Sequence, residues 1–260
     1  MTALASPRRT APRRSIDGIL VVDKPRDWTS HDVVAKLRNY FRLAKLGHAG
    51  TLDPIATGVL VLLVGRGTKL AEQLLADEKE YRFTARFGLV TDTQDVAGKT
   101  LQEDPMPPPR PRAEIEQALL RFHGDIEQTP PMFSAVKING TRLYKLGRKG
   151  AEVERAPRRI RISTLVLEKL AWPRVTLRAV CSKGTYVRTL CHDLGAALGV
   201  GGCMESLERL RSGAYAIDQA KTLEHLLALT PEQFANCLLP LPPAPRQPRH
   251  GFSQAPDERA

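Results

Sequence analysis

The stretch GHAGTLDPIATG (residues 47–58) isolates one carboxylate, Asp53, among glycines, threonines and a proline. A carboxylate on such a loop can serve as a nucleophile, a general base or a partner for developing positive charge. Pro54 fixes the backbone on one side, while Gly47, Gly50 and Gly58 allow tight turns and close approach of backbone to a substrate. An Asp before Pro is equally a plain turn residue. His48 lies five residues earlier. A second candidate is SKGTYVRTL (residues 182–190), which ends an alternating strand and opens a helix. That geometry offers amide N–H groups and a positive dipole end to phosphate, and Lys183 and Arg188 can face the same cleft. Arg188 also reads as a surface charge on a first helical turn. TDTQDVAG (residues 91–98) carries Asp92 and Asp95, a pair suited to capping a turn or to a divalent ion.

Other chemistries are excluded by what is missing. VLLVGRGTKL resembles strand, glycine loop and helix, yet G-x-x-x-x-G-K-[ST] is absent, which removes a phosphate-cradling nucleotide loop. There is no G-x-S-x-G for a serine hydrolase. Cys191 and His192 are adjacent, so they point apart on a helix, and no second ligand pair completes a four-coordinate metal site.

Elements must hold these residues in place. GILVVDKP reads as a short strand from near Ile16, and Thr29 or Ser30 caps a helix bearing Val33, Val34, Leu37 and Phe41 on one face. The segment at residues 47–58 is expected to be loop throughout, followed by a buried strand at residues 59–65 and a helix from about residue 68 to 78. From Tyr81 the period becomes two, with Tyr81, Phe83, Ala85 and Phe87 opposite Arg82, Thr84 and Arg86. A helix near residues 112–123 precedes an Asn139-Gly140 hairpin joining FSAVKI to TRLYKL. Alternating strands follow near residues 159–170 and 174–182, then a helix to about Leu198, a strand near residues 213–217 and a short helix near 222–229. Because neighbouring strands are joined by hairpins, the expected class is α+β with a mixed, largely antiparallel sheet flanked by helices.

The chain has 260 residues, 42% hydrophobic and 26% charged, with a net charge of +11. No run is long enough to span a bilayer and no secretory signal is present, so a cytoplasmic protein is expected. Cys181, Cys191, Cys203 and Cys237 contain no C-x-x-C pair and read as core residues in a reducing compartment. The positive charge is concentrated. Residues 1–14 hold four arginines and no acid, and residues 137–161 hold nine Lys/Arg against Glu152 and Glu154. Such localisation suits a polyanionic partner. The expected organisation is a basic arm at residues 1–15, a catalytic domain at 16–235 with a basic insertion at about 130–155, and a Pro-rich tail at 240–260.

The ordered blocks VVDKPRDWTSHDVV, GHAGTLDPIATGVL, KEYRFTARFGLVTDTQDVAG, TPPMFSAVKINGTRLYKLGRKG and CSKGTYVRTLCHDLG together resemble the TruB family of tRNA pseudouridine-55 synthases. The likeness runs from about Gly18 to Gly213. It implies the pseudouridine synthase fold and isomerisation of a uridine in the T loop of tRNA, without cofactor or metal. It implies Asp53 as the catalytic carboxylate, Arg188 as its ion-pair partner and Tyr81 packed against the target base. His48 would organise flipped-out bases and Leu207 would line the uracil pocket. Tyr186, Lys24 and Asp95 would fall at or near the site, with Lys183 beside them as a substrate-binding cation read from its place before the helix, and the basic insertion would grip the T stem-loop. The implied partner is tRNA alone, bound by a monomer with no protein partner and no membrane. Many bacterial members carry a small C-terminal RNA-binding domain, for which the tail here leaves no room. The chemistry cleaves N1–C1′, turns the base and forms C5–C1′, with the carboxylate attacking C1′ or C6 or stabilising charge on the sugar. Two rival functions are a guide-dependent synthase acting on ribosomal RNA and a tRNA-folding chaperone without essential catalysis.

Overall fold

The computed structural model describes residues 13–242 except 135, 139, 148, 149 and 152, with backbone alone at 137, 138, 142, 144 and 145. Most of the basic arm and tail, and Arg148, Lys149 and Asn139 of the insertion, lie outside the described residues. A ten-stranded sheet forms the body. Its strands are β1 (Gly18–Lys24), β2 (Leu46–Ala49), β3 (Ala56–Val64), β4 (Lys79–Phe87), β7 (Gly124–Gln128), β10 (Arg158–Ala171), β11 (Arg174–Cys181), β12 (Gly202–Ser212), β13 (Tyr215–Ala216) and β14 (Lys221–Thr222). Two small hairpins pair β5 (Leu89–Thr91) with β6 (Thr100–Glu103) and β8 (Lys137–Ile138) with β9 (Thr141–Arg142).

The main path runs β14-β1-β3-β12-β4-β11-β10-β7, with β2 on β3 and β13 on β12. Only β1·β14 and β3·β12 are parallel, so the sheet is mixed and largely antiparallel, as expected. The helices are α1 (Ser30–Tyr40), α2 (Ala71–Ala76), α3 (Arg112–Leu119), α4 (Leu143–Gly147), α5 (Val187–Ala197), α6 (Leu223–Leu227) and α7 (Pro231–Asn236). No described helix is long and apolar enough to cross a membrane.

Local chemistry explains these elements. Thr29 and Asp32 close a reciprocal capping box at the start of α1, which buries Val33, Val34 and Leu37. In β4, Phe83, Ala85 and Phe87 face the core while Arg82, Thr84 and Arg86 alternate with them on the other face. β3 is covered on both faces. Leu60, Leu62 and Val64 join the main core, and Val59, Val61 and Leu63 join a second cluster. That explains its unbroken apolar run.

The structure departs from expectation at four places. Residues 47–58 are not all loop: His48 and Ala49 pair with β3, and only residues 50–55 are unpaired. The expected helix at 68–78 is a 3₁₀ turn, Gly65–Leu70, followed by the short α2. After Arg142 the chain turns helical as α4, so the predicted strand TRLYKL ends after two residues. Finally, the strand expected at 213–217 is only the stub β13, and the long central strand β12 precedes it. β12 carries two register shifts against β4, between Met204 and Ser206 and between Arg209 and Arg211. Each bulge resets the in–out alternation, which hid the strand from a period-two reading.

Candidate active site

Asp53 lies in the loop at residues 50–55, between β2 and β3, and five of the loop's backbone groups are held by side chains or backbone from around it. The Ser30 hydroxyl accepts from Leu52 N at 2.8 Å and donates to Leu52 O at 3.2 Å. Asp53 O accepts from Ala56 N at 3.0 Å, and Pro54 O accepts from Asp27 N at 2.8 Å. Lys24 is fully buried, and its ammonium donates to Pro25 O (2.8 Å), Trp28 O (2.6 Å) and Pro54 O (3.3 Å). Burial lowers its pKa to about 8, with the charge of Asp53 opposing the fall. Lys24 thus clips the loop from beneath.

Arg209 of β12 completes the cradle. It is 1% exposed, and donates through Nε to Val59 O at 2.6 Å and through Nη2 to Gly50 O at 3.1 Å. In the sheet register it sits opposite both Gly58 and Tyr81. Gly58 has φ +92°, and a Cβ there would collide with the Arg209 carbonyl, so this position admits only glycine. Burial raises the pKa of the Tyr81 hydroxyl, and the adjacent Arg209 guanidinium opposes that rise. Nothing in the residue pattern pointed to Arg209, because an arginine in a charged strand reads as solvent-facing.

Arg188, on the first turn of α5, is 5% exposed and reaches Asp53 Oδ2 at 2.9 Å and Asp95 Oδ2 at 3.5 Å. It also donates to Thr93 O at 2.9 Å and Phe133 O at 3.0 Å. The Nε–H is not aligned on a single acceptor, so its hold on Asp53 is mainly coulombic. The surface-charge reading of Arg188 is therefore wrong: it is the buried cation between two carboxylates. Asp53 keeps 38% of its side chain accessible while Asp95 keeps 8%. Desolvation pushes the pKa of Asp53 up; Arg188 and Lys24 pull it back and Asp95 adds to the rise. The result is a carboxylate that is held, partly open, and more basic than usual.

The turn bearing Asp95 is itself tied down. Asp95 Oδ1 accepts from Thr93 Oγ1 at 2.8 Å and Ala97 N at 3.0 Å, and the carbonyl of Gln94 (φ +63°) accepts from Met204 N of β12 at 3.0 Å. Asp92 instead accepts from Lys99 N at 2.8 Å, so the two acids of TDTQD serve separate tasks. Tyr186 precedes α5, where the buried Gln128 accepts from its backbone N at 2.8 Å and donates to its carbonyl at 3.0 Å. Burial raises the pKa of its hydroxyl, and the charge of Arg188 opposes that rise. Gln128 is another residue that sequence reading missed.

The remaining expected residues divide. Leu207, opposite Ala56 and Phe83, is 8% exposed beside the loop. His48 on β2 has a buried Nδ1 without a partner, and burial together with Arg209 lowers its pKa, favouring neutral imidazole. Lys183 stands exposed before α5 and makes no ion pair with the cluster. A neighbouring cleft of about 640 Å³, lined by residues including Asp23, Lys24, Thr57 and Leu223, lies beside the loop and does not include Asp53.

Comparison with known proteins accords with this arrangement. The family model "TruB family pseudouridylate synthase (N terminal domain)" matches residues 38–187, and "tRNA pseudouridylate synthase B C-terminal domain" matches 188–243. The border falls inside α5, so the ion pair Asp53–Arg188 joins the two matched regions. The tRNA pseudouridine synthase B of Opitutus terrae is 47% identical over 88% of this chain and 95% of that protein. Those of Symbiobacterium thermophilum and Pseudomonas aeruginosa are 51% and 49% identical, each over 82% of this chain and over 72% and 70% of their own lengths. Among solved structures, a Cbf5-Nop10-Gar1 complex matches with TM-score 0.67 and 30% identity, over 86% of this chain and 60% of that one. The chain belongs to the TruB family of pseudouridylate synthases.

Proposed function

We propose that the protein isomerises the uridine at position 55 in the T loop of tRNA to pseudouridine, with Asp53 as the catalytic carboxylate. The observation that carries this reading is the Asp53–Arg188 pair at 2.9 Å, on a loop clamped by Ser30, Lys24 and Arg209. The activity named for the relatives in Opitutus, Symbiobacterium and Pseudomonas supports tRNA as the substrate.

The target uridine is extruded from the folded loop, at a cost of roughly a few kcal/mol. Its base rests against Tyr81 and Leu207, and stacking on an aromatic ring returns about 1–3 kcal/mol. His48 contacts neighbouring displaced bases in its neutral form. Asp53 attacks C1′ or uracil C6, or stabilises positive charge on the sugar, while Arg188 keeps it ionised and in place. Bond cleavage, rotation and re-attachment need no redox step and no external group. Tyr186, whose hydroxyl lies within the electrostatic reach of Asp53, borders the site, and the basic insertion around residues 130–155 holds the stem through phosphate contacts. Residues 16–235 act as one catalytic unit, in a monomer that needs no protein partner.

A guide-dependent mode is the second reading, because the Cbf5-containing structures share the fold at up to 30% identity. One experiment separates the two. Unmodified tRNA transcript is incubated with the protein alone, beside a transcript in which U55 is replaced by C. Pseudouridine at position 55 without any guide RNA supports the reading; no conversion, or conversion elsewhere, overturns it.

A further inference from the structure

We infer that the turn after α1 is a second RNA-backbone contact surface, engaging the stem that carries the target loop; this rests on the substrate class proposed above. Arg13, Arg14, Arg38, Arg42 and Lys45 are all exposed there. The backbone brings them together. Arg14 N donates to Arg42 O at 2.7 Å, Ala44 N donates to Arg14 O at 2.9 Å and Leu43 N donates to Arg38 O at 2.9 Å. Arg13 Nη1 reaches Leu43 O at 3.4 Å. Beside them Tyr40 is 53% exposed, an aromatic ring set among cations.

The pairing of charges sets this surface apart from the outer face of the sheet. On the outer sheet face, Arg82, Arg174, Arg178 and Arg211 each meet a glutamate, drawn from Glu80, Glu168, Glu205 and Glu208. Around the turn, Glu232 reaches Arg14 at 3.3 Å, while Arg13, Arg38 and Lys45 have no carboxylate within ion-pairing distance among the described residues. The α1 C-terminus explains one such cation, since its dipole amounts to roughly half a charge. It does not explain three.

Position supplies the second argument. Both α1 and β2 have one end on this turn and the other on the catalytic loop: Ser30 clamps Leu52, and β2 runs from beside Lys45 to Ala49. The 11-residue helix and four-residue strand place the patch roughly 13–16 Å from that loop. At about one phosphate per 3.4 Å of strand, that is roughly four to five nucleotides from the extruded base. An RNA with its loop over Asp53 therefore has stem phosphates at the right distance to reach Arg38 and Lys45.

The test compares wild type with the triple variant Arg13→Ala, Arg38→Ala, Lys45→Ala. Affinity is measured across salt concentrations for a T stem-loop with a full stem and for one with a stem of two base pairs. Each lost phosphate contact flattens the log–log salt slope by about 0.7–0.9, so the triple variant should lose roughly 2–3 units of slope on the full stem. It should change affinity for the short-stem RNA less than twofold. The charge-preserving variant Arg13→Lys, Arg38→Lys, Lys45→Arg should keep the wild-type slope, which guards against a folding defect in the alanine variant. An unchanged slope in the alanine variant, or an equal loss with both RNAs, overturns the inference. Pseudouridine formation by wild type on the same full-stem RNA is scored separately. A patch-dependent slope without conversion sustains this surface and overturns the proposed activity instead.

Discussion

Replacing Arg188 with Met removes the cation but keeps most of the apolar stem, and the structure sets the scale of the loss. The side chain is 5% exposed and serves Asp53, Asp95, Thr93 O and Phe133 O. Breaking a buried ion pair by deleting one partner costs about 3–5 kcal/mol, because the other charge stays buried. Asp95 is that orphan, at 8% exposure. The two abandoned carbonyls add to the loss, offset in part by the methionine and by water entering the cluster. A net destabilisation of about 4 kcal/mol near pH 7.5 follows. The penalty must also depend on pH. Without Arg188, Asp53 loses the main opponent of its upward shift, and the folded variant binds a proton that the unfolded chain releases. Stability of the variant then falls as pH rises above the ordinary carboxylate range. Urea titrations at pH 7.5 and pH 5 measure both effects, and the deficit should shrink at pH 5 by at least about 1 kcal/mol, the worth of a shift of under one pKa unit. Adding Asp53→Asn to the Met variant should recover part of the loss at pH 7.5. A deficit below about 1 kcal/mol, or one equal at both pH values, would refute the claim that Arg188 neutralises two carboxylates.

Two further variants probe the cradle under the loop. Lys24→Met leaves Pro25 O, Trp28 O and Pro54 O without their donor, so a loss of about 2–4 kcal/mol is expected in denaturant titration. Folded Lys24 releases its proton near pH 8 while the unfolded lysine holds it to about 10.5, so wild-type stability gains from Lys24 as pH rises across that window. The Met variant should lack this gain, and an unaltered pH profile would count against a buried ammonium. Arg209→Met strips the donors from Gly50 O and Val59 O and removes the charge facing Tyr81. In single-turnover assays it should lower the rate of conversion at least tenfold while RNA affinity changes less than threefold; a loss confined to affinity would show that Arg209 does not shape the catalytic loop.

Much of the architecture was legible because apolar periodicity reports burial directly. The capped helix at Ser30, the alternation of β4 and the doubly buried run of β3 all follow from that pattern. β12 was not legible. Its bulges break the period, and its buried Arg209 has the same residue type as the half-buried Arg211 two positions on, which pairs with Glu80. The loop boundary was misplaced for a related reason: Gly47 and Gly58 lie within paired strands, where Gly58 answers the close approach of Arg209 rather than a turn. At the site, local pattern singled out Asp53, His48 and Arg188, but spacing could not show that Arg188 folds inward rather than toward solvent. That outcome depends on Asp95 and Phe133, which are distant in sequence. Gln128 was invisible for the same reason, since its partner Tyr186 lies on another strand-to-helix junction.

The most direct test of Asp53 as the catalytic carboxylate is a pseudouridine map of tRNA treated with wild type and with Asp53→Asn. Asparagine keeps the shape of the side chain, and Arg188 retains Asp95 as a counter-charge, so the fold and RNA binding should persist. Conversion at position 55 should be complete with wild type and absent with the variant, while both proteins bind the transcript with affinities within about threefold, under 1 kcal/mol apart. Pseudouridine at position 55 in the Asp53→Asn reaction, at a rate comparable to wild type, would contradict the assignment.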